Sequence, residues 1–119
     1  MIKFVVLVKR KEGMDRAEFA DYWVNVHGPI ASRIPGLKGY RISIAHEVPF
    51  PEDAIPWDGL VEIFFEDGDA FEAGISSREG VLAIADVDNF AERKGFLLTE
   101  ETVIVPLDED PLCAPPRTH

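Results

Sequence analysis

The segment Ile2 to Lys9, IKFVVLVK, is β-branched or apolar at nearly every position. A strand with one wet face alternates apolar and polar residues; a strand without alternation has to be covered on both sides. The rest of the chain must therefore supply cover for two faces of one sheet.

A polar turn, Lys9 to Gly13, leads into a helix start. Asp15 reads as its N-cap, with Glu18 completing a capping box and Met14 and Phe19 set as a hydrophobic staple. Phe19, Tyr22, Trp23, Val26 and Ile30 then recur at helical spacing, a stripe that faces a sheet. Gly28 suits a C-cap, although the segment can also restart with Pro29 at a first helical position. Pro35-Gly36 is a second stop. Lys38 to Glu47 alternates as a strand, with Tyr40, Ile42, Ile44 and His46 on one face and Arg41, Ser43 and Ala45 on the other. Val48 to Asp58 is proline-rich and carries Phe50, Ile55 and Trp57, which suggests an arm packed on another surface. Gly59 to Glu66 reads as the third strand, with Val61, Ile63 and Phe65 opposite Leu60, Glu62 and Phe64.

Asp69 and Glu72 suit the cap of a short turn, and Ser76 with Glu79 a second capping box. Gly80, Ala83, Ile84, Val87, Phe90 and Ala91 form an apolar stripe, with Asp86, Asp88, Asn89, Glu92 and Arg93 off it. Gly95 would end that helix, and Thr99 to Leu107 would be the fourth strand. The order β-α-β-β-α-β is a ferredoxin-like α+β unit, a four-stranded antiparallel sheet with two helices on one face. Residues 1–107 make one domain, followed by an irregular tail, 108–119. Helices on one face leave the first strand half uncovered, so a second copy is expected to cover it in a dimeric α+β barrel.

The formal charge is −10 and the hydrophobic share 46%. The charge argues against nucleic acid as a partner, because nothing supplies a phosphate-neutralising patch. No apolar run is long enough for a membrane span, and the N-terminus lacks signal-peptide grammar, so a cytoplasmic location is expected. Cys113 is the lone cysteine, and the histidines show no metal-ligand spacing, so no metal is expected. Nucleotide-binding and GxSxG motifs are absent from the sequence.

His27, one helical turn after Trp23 and beside Gly28-Pro29, is the residue best suited to acid–base work. A helix C-terminus favours its charged form, while an apolar cavity would oppose it. The competing reading is a structural imidazole that bonds the last helical carbonyls. Tyr40 could orient a carbonyl or phenol, or be a core tyrosine. Trp23 and Tyr22 read as core or cavity wall. His46 shares the face of Tyr40 but adjoins a loop and is expected to be exposed. Arg41 could bind a carboxylate and Glu62 could move a proton, if the faces they occupy line a cavity.

The run GMDRAEFADYWVNVHGPIASRIPGLKGY, after a strand and a KRK turn, resembles the EthD family of the dimeric α+β barrel superfamily. The likeness lies in the Tyr-Trp pair, the H-G-P and the later P-G-L with Tyr40, and extends to a later helix with Asp86 and Phe90. It implies a homodimer with a small-molecule cavity, in a family associated with breakdown of ethers and aromatic compounds. In the related methylmuconolactone isomerases, which shift protons without a cofactor, a histidine matches His27 and a strand tyrosine matches Tyr40. Ile63 stands where that branch has a cysteine. The expectation is a cofactor-independent catabolic enzyme of isomerase or lyase type, acting on a small apolar or aromatic carbonyl compound. His27 would handle a proton, Tyr40 hold an oxygen and Trp23 wall the pocket, with Tyr22, His46, Arg41 and Glu62 as further substrate contacts. A non-catalytic accessory protein of an oxygenase system and a monooxygenase-type oxidoreductase are the alternatives.

Overall fold

The computed structural model describes residues 1–46 and 57–108, with the side chain of Arg93 excepted. The segment 47–56, which holds most of the expected proline-rich arm, and the tail 109–119, with Cys113, lie outside the described residues. Four strands, β1 (Ile2–Arg10), β2 (Leu37–Ile44), β3 (Gly59–Phe65) and β4 (Ala91–Glu100), form one sheet in the order β2-β3-β1-β4. All neighbouring pairs are antiparallel. Helices fill the two crossovers, which is the ferredoxin-like α+β arrangement. No helix among the described residues is long and apolar enough to cross a membrane.

The first crossover is one helical run made of three pieces: α1 (Arg16–Tyr22), a π-helical turn (Trp23–His27) and α2 (Gly28–Ala31). Asp15 caps it by accepting from the Glu18 N–H at 2.8 Å. Gly28 is no C-cap: its backbone is helical and its N–H reaches back five residues to the Trp23 carbonyl. The run restarts with Pro29 in its first turn. The wide turn decides which residues face the sheet. In a regular helix each step of four residues drifts by about 40°, so three steps leave the original face. Here Phe19, Trp23, His27 and Ala31 are all buried, because the π turn cancels the drift. The same rotation turns Val26 outward, contrary to the expected stripe, and leaves it 42% exposed.

The second crossover breaks into α3 (Gly68–Ser76) and α4 (Arg78–Asp86), followed by a 3-10 turn, Val87–Asn89. The caps differ by a residue or two from expectation. Asp67, not Asp69, accepts from the Ala70 N–H, and Ser77, not Ser76, accepts from the Gly80 N–H. Ser77 is extended, φ −67° and ψ 165°, so it closes α3 and opens α4 at once. Ile84, expected on the buried stripe, is 38% exposed, and Gly80 and Ala83 are the buried residues of α4.

The largest departure is the last strand. Gly95 does not end a helix; it lies inside β4, which pairs with β1 from Ile2↔Glu100 to Arg10↔Ala91. A nine-residue β1 requires a partner of matching length directly after Phe90, and this pairing overrides the weak strand propensity of AERKG. The more strand-like Thr102–Leu107 lies past the end of β4. Val103, Ile104 and Val105 there are 55%, 86% and 83% exposed.

Cross-strand register divides the sheet into two faces. Phe4, Val6 and Val8 share one with Ile63, Val61, Tyr40 and Ile42. This face meets the helices and holds the core, in which Trp23, Phe19, Phe65, Phe90 and Val8 are the largest fully buried side chains. Trp23 needs Gly59 beneath it, since a Cβ there would sit 2.6 Å from the indole ring. The opposite face carries Lys3, Val5, Leu7, Leu60, Glu62, Arg41 and Leu97.

Candidate functional site

The π turn delivers His27 into the layer between the helices and the sheet, with the residue only 5% exposed. Its ring lies 4.9 Å from that of Phe90, centroid to centroid, and Phe90 in turn packs on Phe19, Tyr22 and Trp23. An imidazole in such surroundings needs a polar partner. Asp86, in the last turn of α4, supplies it: His27 Nδ1 lies 2.8 Å from Asp86 Oδ2. The other oxygen, Oδ1, accepts from the Tyr22 hydroxyl at 2.7 Å and from the Asn89 amide at 2.9 Å.

This arrangement sets the protonation states. Burial raises the pKa of Asp86, but the bonds from Tyr22, Asn89 and His27 together outweigh it and hold the carboxyl below its ordinary value. Burial lowers the pKa of His27, and Asp86 only partly restores it. At neutral pH the pair is thus a carboxylate and a neutral imidazole. Because the carboxylate only accepts, Nδ1 must carry the proton, and the lone pair sits on Nε2, across the ring. A neutral imidazole oriented by a buried carboxylate is the chemistry of a general base. Tyr22 is drawn into the same network, and its hydroxyl pKa is raised by Asp86 and by burial.

Tyr40 sits on the helix-covered face of β2. Its hydroxyl is buried, and among the described residues it has no hydrogen-bond partner. Burial raises its pKa, so it remains a neutral phenol that can donate. It lies two residues along the strand from Ile42, and a Cβ built at Gly28, next to His27, would be 3.9 Å from the Ile42 side chain. Tyr40 thus shares a layer with His27 without bonding to it. Trp23 is a core residue, wedged between Phe19 and Phe90 and over Gly59.

The other expected contacts are not brought together with His27. Arg41 and Glu62 face each other across β2 and β3 on the helix-free face. Glu62 accepts from Lys3 at 2.8 Å, and Arg41 lies over the Phe64 ring. His46 is exposed beyond the end of β2. Sequence reasoning missed Asn89, set aside as a polar position off the stripe of the later helix, and the role of Asp86, which it noted only there and in the family likeness. Their spacing of three, immediately before a buried aromatic, was the available signal. Nothing in it says that the first helix lies opposite.

Between α2 and α4 a groove of about 590 Å³ opens to solvent, and Asp86 and Asn89 form part of its lining. His27 does not line it. Among the described residues no cluster of histidine, cysteine, aspartate or glutamate could hold a metal ion.

Residues 11–94 match the EthD domain. The chain also resembles the crystal structure of an ethyl tert-butyl ether D (EthD) family protein from Bacillus halodurans. The TM-score is 0.74 at 22% identity, over 86% of this chain and 99% of that one. SnoaB, a cofactor-independent oxygenase from Streptomyces nogalater, superposes with a TM-score of 0.63 at 14% identity, over 89% and 97% of the two chains. A dimeric ferredoxin-like protein from Bacteroides fragilis gives 0.63 at 13% identity, over 84% and 95%. No protein of curated function matches the chain.

Proposed function

The chain belongs to the EthD family, and from that membership we propose that it is a homodimeric, cofactor-independent catabolic enzyme in which His27 moves a proton on a small carbonyl compound. The observation that carries this reading is the 2.8 Å bond from the buried His27 to Asp86. It orients a neutral imidazole in a water-poor layer, where its basicity is not spent on solvent. The buried, unpartnered Tyr40 hydroxyl supports the second role, donation to the substrate oxygen as charge develops there. The aromatic surroundings favour an apolar or aromatic substrate.

Dimerisation is supported by the apolar side chains left outside. Phe96, Leu97 and Leu98 of β4 are 56%, 58% and 48% exposed, more than a lone soluble subunit usually tolerates in one strand. A solved neighbour is also described as dimeric. Light scattering of the purified protein should give twice the 13.3 kDa chain mass, and Leu97→Glu should shift it toward monomer.

The catalytic test is hydrogen exchange. Small aromatic ketones and lactones are incubated with the enzyme in D₂O and followed by NMR. Catalysed exchange next to the carbonyl is expected, lost in His27→Ala and reduced in Tyr40→Phe. Exchange unaffected by His27→Ala would end the proposal. Similarity to a cofactor-independent oxygenase favours a second reading, in which the layer around His27 and Tyr40 shields the reaction of an ionised phenol with oxygen. Oxygen consumption without carbonyl exchange would select it. Ligand binding with neither reaction would mark an accessory protein.

A further inference from the structure

The groove between α2 and α4 combines two arginines with an apolar wall. Lysine and arginine number 12 against 22 acidic residues in this chain, yet Arg33 and Arg78 both line this one groove. Arg33 follows α2 and Arg78 opens α4, so two separate elements each contribute one arginine to it. Among the described residues neither has an ion pair or a side-chain hydrogen bond, whereas Lys3, Arg10 and Lys94 are each paired with a carboxylate. Ile30, Leu82 and Ala85 give the groove an apolar wall, and Leu82 is 53% exposed there. An exposed leucine beside two unpaired arginines is costly to water and useful to an amphipathic anion.

Acidic lining does not cancel this. Asp86 and Glu79 offset the two positive charges, but Asp86 spends its oxygens on Tyr22, Asn89 and His27, and among the described residues neither carboxylate pairs with Arg33 or Arg78, whose forks stay open to a ligand. The volume, about 590 Å³, suits a molecule of one or two rings.

We propose that this groove is a binding site for a small organic monocarboxylate, clamped through its carboxylate by Arg33 and Arg78, with its apolar or aromatic body against Ile30, Leu82 and Ala85. The assignment does not depend on His27 acting as a base. Planar guanidinium forks match a carboxylate in two-point geometry, which an amide or alcohol of the same shape does not offer.

Phenylacetate and its uncharged counterpart phenylacetamide serve as probes, titrated into the full-length protein and followed by ¹H–¹⁵N chemical shifts. Phenylacetate should give saturable shifts centred on α2 and α4, and phenylacetamide should bind at least about tenfold more weakly. Arg33→Gln and Arg78→Gln should each weaken phenylacetate about tenfold without changing the melting temperature, since both side chains are exposed. Arg78→Lys should recover part of the loss. Tyr40→Phe, on a side chain that neither lines the groove nor bonds to Asp86, should leave this binding unchanged while reducing exchange catalysis, so failure of the one reading and failure of the other can be told apart. Equal affinity for the two probes, unchanged affinity in both glutamine variants, shifts centred elsewhere or the absence of saturable shifts with phenylacetate would each overturn the proposal.

Discussion

Tyr40 and Arg41 are neighbours in β2 but occupy different surroundings. Tyr40 points into the layer under the helices, where its hydroxyl is buried without a partner. Arg41 points to the helix-free face, stays exposed and rests on the Phe64 ring. The same contrast runs across the sheet. One side holds Val6, Val8, Val61, Ile63 and Phe65, all buried. The other mixes Val5, Leu7 and Leu60 with Lys3, which reaches Glu62 at 2.8 Å and Glu101 at 2.6 Å. The helix-covered side is fully packed over β1 and β3, leaves Phe96 and Leu98 exposed only along β4, and confines its polar chemistry to a few placed groups. The helix-free side pairs charges around apolar side chains, as a surface does that awaits a further layer. Substitutions on the two sides should therefore differ sharply in cost.

The largest effect belongs to the covered side. Trp23→Ala removes a fully buried indole whose seat at Gly59 nothing else fills. It should cost about 3–5 kcal/mol in a urea unfolding experiment. A loss below about 1 kcal/mol would mean that this side is far more plastic than its packing implies.

Asp86→Ala comes next. It strands Tyr22, Asn89 and the His27 Nδ1 proton at once, at an expected cost of about 1–3 kcal/mol. Asp86→Asn should cost less, because an amide oxygen still accepts, but it should disturb the His27 tautomer.

The pH dependence is smaller and has a definite sign. The folded pKa of His27 lies below its ordinary value because of burial. Between that folded value and about 6.5, the unfolded chain binds the extra proton. Stability is therefore full above about pH 6.5 and declines as pH falls toward the folded value, then levels. The lowered Asp86 adds a second loss at more acidic pH, beginning near its unfolded value of about 3.9 and continuing through its folded pKa. In His27→Gln the upper limb should flatten while the acidic one remains, as read from urea midpoints across the range.

The smallest effects give the most direct contrast between the two faces. Tyr40→Phe removes a buried hydroxyl that has no partner, so the ligand-free protein should gain up to about 1 kcal/mol. Arg41→Gln next door should stay within about 0.5 kcal/mol. If the two changes had the same effect, Tyr40 would not be in the dry layer that its proposed role requires.

Much of the fold was legible because periodicity reports which side of an element is dry. The first three strands, the Asp15 cap and the element order follow from local pattern. The π turn was not legible, since a helix with one widened turn carries no distinct composition. Its consequence, Val26 outward and His27 inward, is a matter of register. β4 was misread for the opposite reason. TVIVPL has the stronger strand composition, but AERKGFLLTE is what the length of β1 and the position of Phe90 bring alongside it. The candidate site divides in the same way. His27 and Tyr40 stand out as single residues with useful chemistry. Asp86 acquires its role only because α4 ends beside the π turn, 59 positions away in the chain.

The sequence by itself determined the family, the α+β order and the presence of a histidine amid aromatic residues, because these are recorded in local spacing. Only the tertiary structure decided which nitrogen of that histidine holds the proton and which face of the sheet is dry. It also decided that two arginines share one groove. Each of these depends on groups distant in the chain being brought together by the fold, and no local pattern records such a meeting.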